Sequence, residues 1–214
     1  MTIVVATRNL GKLREMTQLF RQNLPDAQDV QLVGLKAYPT LSPIEETGST
    51  FHENARYKAL TVAAHTGLMS IGDDSGLEVD ALGGAPGVYS ARFAGPHARD
   101  SDNNRKLLDA LKAVPPDQRT ARFRCAIAVA LPDNLLGLFE GVCHGLIALE
   151  PRGGSGFGYD PLFVKTEYGK TFAELTAAVK NRISHRAHAF EKAAIVIQRY
   201  LGQMREKDSG KKRR

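Results

Sequence analysis

Apolar residues recur along this chain with two periods, and their alternation divides it into strands and helices. Ile3-Val4-Val5-Ala6 is a continuous apolar run of strand length, and Leu10, Leu13, Met16, Leu19 and Phe20 follow at helical spacing. Val30 to Leu35 predicts a second strand. Thr50-Phe51-His52-Glu53 has capping-box spacing, and Phe51, Ala55, Ala59 and Val62 continue on one helical face. Leu68 to Ile71 and Leu77 to Val79 read as two short strands, with Asp73-Asp74-Ser75-Gly76 between them as an acidic pair against a Ser-Gly turn. A shorter helix is expected over Asn103 to Leu111, ending before Pro115-Pro116. Thr120 to Leu131 and Leu135 to Leu149 predict a long hairpin that turns at Pro132-Asp133-Asn134. Ser184 is placed to cap a last helix carrying Phe190, Ala194, Ile197 and Leu201, with Gly202 past its end. Together these predict an α/β fold, a mixed sheet with helices on its faces.

Composition narrows the class without naming a function. A chain of 214 residues with 43% hydrophobic and 24% charged residues is ordinary for a globular protein of one domain or two small lobes. Nothing approaches the ~18 consecutive apolar residues of a membrane span. Arg8 and Lys12 interrupt the apolar stretch that a signal peptide would need. Cys125 and Cys143 are too few and too far apart for a zinc cluster, and are expected as reduced, buried thiols of a cytoplasmic protein. The formal charge of +6 is concentrated at the end: Arg205 to Arg214 carries a net +4, leaving +2 for residues 1–204. That boundary predicts one domain over 1–204 and a basic, disordered tail over 205–214. The tail alone is a poor argument for nucleic-acid binding, since the body has no aromatic or helix-turn-helix pattern to accompany it.

Three segments carry candidate chemistry. The Asp73-Asp74 pair suits a divalent cation, because Mg²⁺ is commonly held by one or two carboxylates plus the phosphates of its substrate. An acidic turn exposed to water is the alternative. Strand, then Thr7-Arg8-Asn9-Leu10-Gly11-Lys12, then helix puts free N–H groups and the positive end of a helix dipole where a phosphate can dock. The alternative there is an ordinary N-cap followed by a solvated lysine. No Walker A loop is present, since Leu13 follows Lys12 and Val164 stands where Gly169-Lys170-Thr171 would need a glycine. Arg152-Gly153-Gly154-Ser155-Gly156-Phe157-Gly158-Tyr159-Asp160-Pro161 lacks the spacing of a dinucleotide fingerprint, but sets an aromatic ring between glycines. Phe157 can therefore face a planar base, or else the core. Lys180 and Ser184-His185-Arg186 add donors and cations at the start of the last helix. His185 and His188 have no convincing metal spacing, and Ser184-His185 has no third partner for nucleophilic catalysis.

Taken in order, these blocks resemble the inosine triphosphate pyrophosphatase family. The resemblance rests on Ala6 to Lys12, Glu45-Glu46-Thr47-Gly48 with Glu53-Asn54-Ala55, Asp73 to Leu77, Gly83 to Arg92, Gly156 to Pro161 and Ser184-His185-Arg186, and spans about Ile3 to Tyr200. It implies Mg²⁺-dependent hydrolysis of ITP, dITP and XTP to the monophosphate and pyrophosphate. The implied fold is an elongated mixed sheet flanked by helices, with two lobes, a central nucleotide cleft and a homodimeric assembly. Thr7, Arg8, Asn9, Leu10, Gly11 and Lys12 would bind the triphosphate, and Lys58 would reach it. Asp74 would be the general base and a metal ligand, with Glu46 the second carboxylate (Glu45 its one-residue alternative) and Ser75 a substrate contact. Phe157, Gly158, Tyr159, Asp160, Lys180, His185 and Arg186 would hold the base. A 6-oxo acceptor on that base suits Arg186, which can only donate, or neighbouring backbone N–H groups. Two departures stand out: Arg8 replaces a glycine common in the family, and Val179 replaces a frequent acidic residue before Lys180.

Overall fold

The computed structural model describes residues 1–211, with side chains through Glu206; Lys212, Arg213 and Arg214 lie outside the described residues. Its centre is a seven-stranded sheet in the order β2-β1-β3-β4-β5-β6-β7. The strands are β1 (Thr2–Val5), β2 (Gln31–Gly34), β3 (Ser70–Val79), β4 (Thr120–Leu131), β5 (Asn134–Ile147), β6 (Phe163–Lys165) and β7 (Lys170–Thr171). β1 runs parallel to β2 and β3, and every later pairing is antiparallel, so the sheet is mixed as expected. Five α-helices accompany it among the described residues: α1 (Leu10–Asn23), α2 (Phe51–Thr66), α3 (Asp100–Ala110), α4 (Ala177–Ile183) and α5 (His185–Lys211).

The two faces of the sheet are covered differently because side chains alternate along each strand. Odd-numbered residues of β3 and β4, including Ile71, Cys125, Ile127 and Val129, pack with α1 and α5 around Met16, Phe20, Phe190 and Ile197. Even-numbered Ala126, Ala128 and Ala130 pack with Phe51, Ala55, Ala59 and Ala63 of α2. Small residues on both sides bring α2 unusually near the sheet: a Cβ built on Gly72 would stand 2.2 Å from the Ala55 carbonyl oxygen. The start of α5 is pressed onto β5 in the same way, since a Cβ on Gly141 would stand 2.1 Å from the His185 carbonyl oxygen. A separate apolar cluster at the far end of the sheet joins Leu77, Val79, Phe123, Phe163 and Phe172.

Several local expectations hold. Thr50 and Glu53 form the reciprocal capping box of α2, the Ser184 hydroxyl accepts from the Ala187 N–H at 3.1 Å, and both cysteines are free and buried. Others are corrected. Asp73-Asp74-Ser75-Gly76 is not a turn between two strands but the middle of the ten-residue β3, whose pairing with β4 runs unbroken from Ser70 to Val79. Ladder hydrogen bonds on the β4 side hold the acidic pair in extended backbone. Gly202 does not end the last helix, which continues to Lys211; the rest of the basic segment expected over 205–214 lies outside the described residues. Leu10 is 49% exposed and stands off the buried face of α1. No helix among the described residues is long and apolar enough to cross a membrane.

Candidate active site

β1 supplies the opening. It pairs with β3 only at Val4–Ser70 and Val5–Ile71, then leaves the sheet. The edge of β3 beyond Ile71 therefore has β4 on one side and no strand on the other until Leu77 and Val79 donate to Ser90 Oγ and the Ala85 carbonyl. By the same alternation, Asp73 and Ser75 turn their N–H groups toward this open side. Ligands of open α/β sheets gather where parallel strands end, and a pocket lies here.

Asp73 and Asp74 leave β3 on opposite faces. Asp74 meets α2: Lys58 Nζ donates to its Oδ1 at 2.8 Å and Asn54 Nδ2 to its Oδ2 at 3.1 Å. The same ammonium reaches Glu46 Oε1 at 2.8 Å, and Arg92 stands 3.5 Å from Glu46 Oε2. Glu46 thus joins Asp74 around one ammonium, whereas Glu45 is exposed. Burial raises the Asp74 pKa above the usual carboxylate value despite Lys58. Burial acts on Glu46 too, but Lys58 and further cations outweigh it and hold that pKa down.

Asp73, fully buried, faces the other way. Lys12 Nζ donates to it at 2.7 Å and Arg186 Nε at 2.6 Å. Its burial is overridden by those two cations, so its pKa lies well below the ordinary value. Arg186 continues the chain: it donates to Glu15 and, at 2.9 Å, to Ser75 Oγ. Glu15 also accepts from Lys180 at 2.7 Å, and Lys180 donates onward to Asp160. An alternating series, Lys12, Asp73, Arg186, Glu15, Lys180 and Asp160, crosses the site from end to end. Glu15 supports Lys180 in place of the acidic neighbour that Val179 does not provide.

The aromatic side is equally fixed. Phe157 is partly buried at the pocket wall, with Lys180 Nζ 5.1 Å and Arg186 Cζ 5.8 Å from its ring centroid. Tyr159 donates to the Ser90 carbonyl at 2.9 Å. His185 stacks on Phe123 at 4.7 Å between centroids, and its buried Nδ1 has no hydrogen-bond partner. Complete burial and nearby cations keep its pKa well below the usual histidine value, so the ring is neutral.

The predicted residues separate into two groups. Asn9, Lys12, Glu46, Asp74, Ser75, Phe157, Gly158, Tyr159, Asp160, Lys180, His185 and Arg186 line one pocket. Thr7, Arg8, Leu10 and Gly11 are not part of that lining, and Lys58 stands behind the carboxylates it bridges. Arg8 donates to the Leu41 carbonyl at 2.7 Å, away from the pocket. Asn9 is an N-cap, accepting from the Gly11 and Lys12 N–H groups, so those donors are already satisfied. Lys12, however, is not solvated but paired with Asp73. Glu15 and Asp100 escaped the sequence reading; the available signal for Glu15 was its place one helical turn after Lys12. Among the described residues no group of three or more His, Cys, Asp or Glu side chains is assembled to hold a metal ion. Glu46 and Asp74 are a pair.

Comparison with known proteins places the chain in a family. A dITP/XTP pyrophosphatase of Desulforamulus reducens is 50% identical over 93% of this chain and 96% of its own length. One from Bacillus subtilis is 47% identical, covering 91% and 96%. The solved structure of a HAM1 protein from Coxiella burnetii superposes with a TM-score of 0.80 at 42% identity, covering 93% of this chain and 99% of that one. The Ham1 family model matches residues 3–195, and the chain belongs to that family.

Proposed function

We propose that this chain is a nucleoside-triphosphate pyrophosphatase that hydrolyses dITP, XTP and ITP to the monophosphate and pyrophosphate. The observation that carries the reading is one pocket lined both by the carboxylates of Glu46 and Asp74 with Lys12 and by the Phe157 ring with buried His185, Lys180 and Arg186. A triphosphate needs the first and a purine the second. The names of the relatives, at about half identity over nearly the whole chain, support the same substrates.

Glu46 and Asp74 fit a divalent cation. Both present carboxylate oxygens around one ammonium, and Mg²⁺ uses one or two carboxylates beside substrate phosphates, so the missing third acid is no objection. When bound, Mg²⁺ would supply charge neutralisation at the phosphates. Lys12 and Lys58 add fixed positive charge there, and such preorganised charge is the main protein contribution to phosphoryl-type transfer. Asp74 orients and deprotonates the attacking water. Ser75 contacts the substrate, and the turn from Thr7 to Lys12 flanks the phosphates. Pyrophosphate as product places the cleavage between the α and β phosphorus atoms.

On the base side Phe157 stacks on the purine while Lys180, His185 and Arg186 address its edge. Arg186 has donors committed to Asp73, Glu15 and Ser75, so it reads a 6-oxo group through what remains of its five N–H groups. The separate apolar clusters at the two ends of the sheet support a two-lobed body over 1–204 with the nucleotide in a central cleft. Free buried thiols agree with a cytoplasmic location. The homodimer rests on the family resemblance and is read by sedimentation. The deciding assay is pyrophosphate release from a panel of nucleoside triphosphates with Mg²⁺: ITP, dITP and XTP should far exceed ATP in kcat/KM, and comparable values for ATP and ITP would overturn the assignment.

A further inference from the structure

The loop that carries Phe157 is held from an unexpected direction. Gly158, the next residue, has φ +62, and both polar groups of that glycine are taken by α3. Its N–H donates to Asp100 Oδ2 at 2.6 Å, and its carbonyl accepts from Asn104 Nδ2 at 3.0 Å. Asp100 and Asn104 are one helical turn apart on one face of α3. Between them, Asn103 accepts from the Ala94 N–H at 2.8 Å and donates to the Ala91 carbonyl at 3.2 Å, bracketing the segment of Arg92. Arg92 in turn meets Glu46.

An acid at the start of a helix ordinarily serves the helix itself. Here that task belongs to Asp102, whose carboxylate accepts from the Arg99 N–H at 3.1 Å. Asp100 is thus free for Gly158. Asn104 is turned the same way: its Nδ2 faces the loop while its buried Oδ1 has no partner. A buried amide left half-satisfied is oriented by what its other end holds.

We propose that Asp100 and Asn104 are positioning residues that set Phe157 against the purine, making α3 a strut between the base wall and the Arg92–Glu46 side. The inference rests on the base-stacking role given to Phe157 above. Both residues hydrogen-bond to Gly158 rather than to Glu46, Asp74 or Lys58, so their effect falls on nucleotide binding.

The test uses the full-length chain with Mg²⁺, measuring KM and kcat for dITP and the inhibition constant of inorganic tripolyphosphate, which has no base. Asp100→Ala and Asn104→Ala should each raise KM about tenfold, with kcat within about threefold and the tripolyphosphate constant within about twofold. Asp100→Asn, whose Oδ1 can accept the same N–H, should restore most of the loss. An unchanged KM in Asp100→Ala would overturn the proposal, as would a parallel rise in the tripolyphosphate constant, which would mark general distortion. Phe157→Ala separates the two levels. If it leaves KM unaltered, the base-wall reading fails and takes this inference with it. If it raises KM while Asp100→Ala does not, only the strut is wrong.

Discussion

Asp73 and Asp74 are neighbours in sequence and opposites in structure: the first is locked to Lys12 and Arg186 on the α5 side, the second to Lys58 and Asn54 on the α2 side. Asp74→Asn should therefore lower kcat by at least ~10²-fold, as for loss of a general base. Its stability should fall less than that of Asp73→Asn, because Lys58 keeps Glu46 as an ionic partner. Asp73→Asn should do the reverse in kind, leaving the buried Arg186 and the partly buried Lys12 short of a partner. That costs about 3–5 kcal/mol and lowers Tm by roughly 10 °C in a domain of this size. Equal catalytic and thermal effects in the two variants would contradict the division of labour.

His185 gives a pH signature. Its folded pKa is depressed well below the unfolded value of about 6.5, so the unfolded chain takes up a proton first as pH falls. The stability contribution is complete above about 6.5 and is lost below it, with a slope approaching ~1.4 kcal/mol per pH unit for one proton. Denaturant melts at pH 7, 6 and 5.5 should show the decline, and His185→Gln should flatten it. A wild-type profile flat through this window would mean that the ring is charged in the fold.

Phe157→Ala should weaken every purine triphosphate alike. Stacking is indifferent to exocyclic groups and is worth about 1–3 kcal/mol per base, so kcat/KM for ITP, XTP and ATP should fall by a common factor of roughly 10–100. Unequal losses would assign selectivity to the ring rather than to the cations around it.

The basic end should be dispensable for catalysis. Arg205 is twenty residues along α5 from His185, about 30 Å at helical rise, and donates to the Asp26 carbonyl and to Asp29. Deleting Asp208 to Arg214 should leave kcat and KM for ITP within about twofold. A large rise in KM would show that these residues reach the triphosphate.

The strands and helices with strong periodicity were legible: β1, α1, α2 and the β4–β5 hairpin all follow their apolar patterns. Asp73 to Gly76 misled because polar residues inside a strand look like a turn when the reason for their burial, ion pairs from distant helices, lies outside the local sequence. Gly202 misled because a glycine in a long helix is tolerated when nothing else ends it. β6, β7 and α4 are too short to show a period. In the site, the motif residues were visible as motifs, but not the partner each one has. Arg186 illustrates the gap: its ability to donate is written in its chemistry, whereas Glu15, which occupies one of its donors, lies 171 residues away.

The alternation of charges has a kinetic consequence. Lys12, Arg186 and Lys180 are matched by Asp73, Glu15 and Asp160, and Lys58 and Arg92 by Asp74 and Glu46. Seen from beyond a Debye length of about 8 Å, such a wall has almost no field with which to draw a polyanion out of solution. Capture then begins at touching distance and depends on fit rather than on long-range steering. Raising ionic strength should slow encounter far less than at a site lined by cations alone, and the preference among nucleotides should persist across salt concentrations.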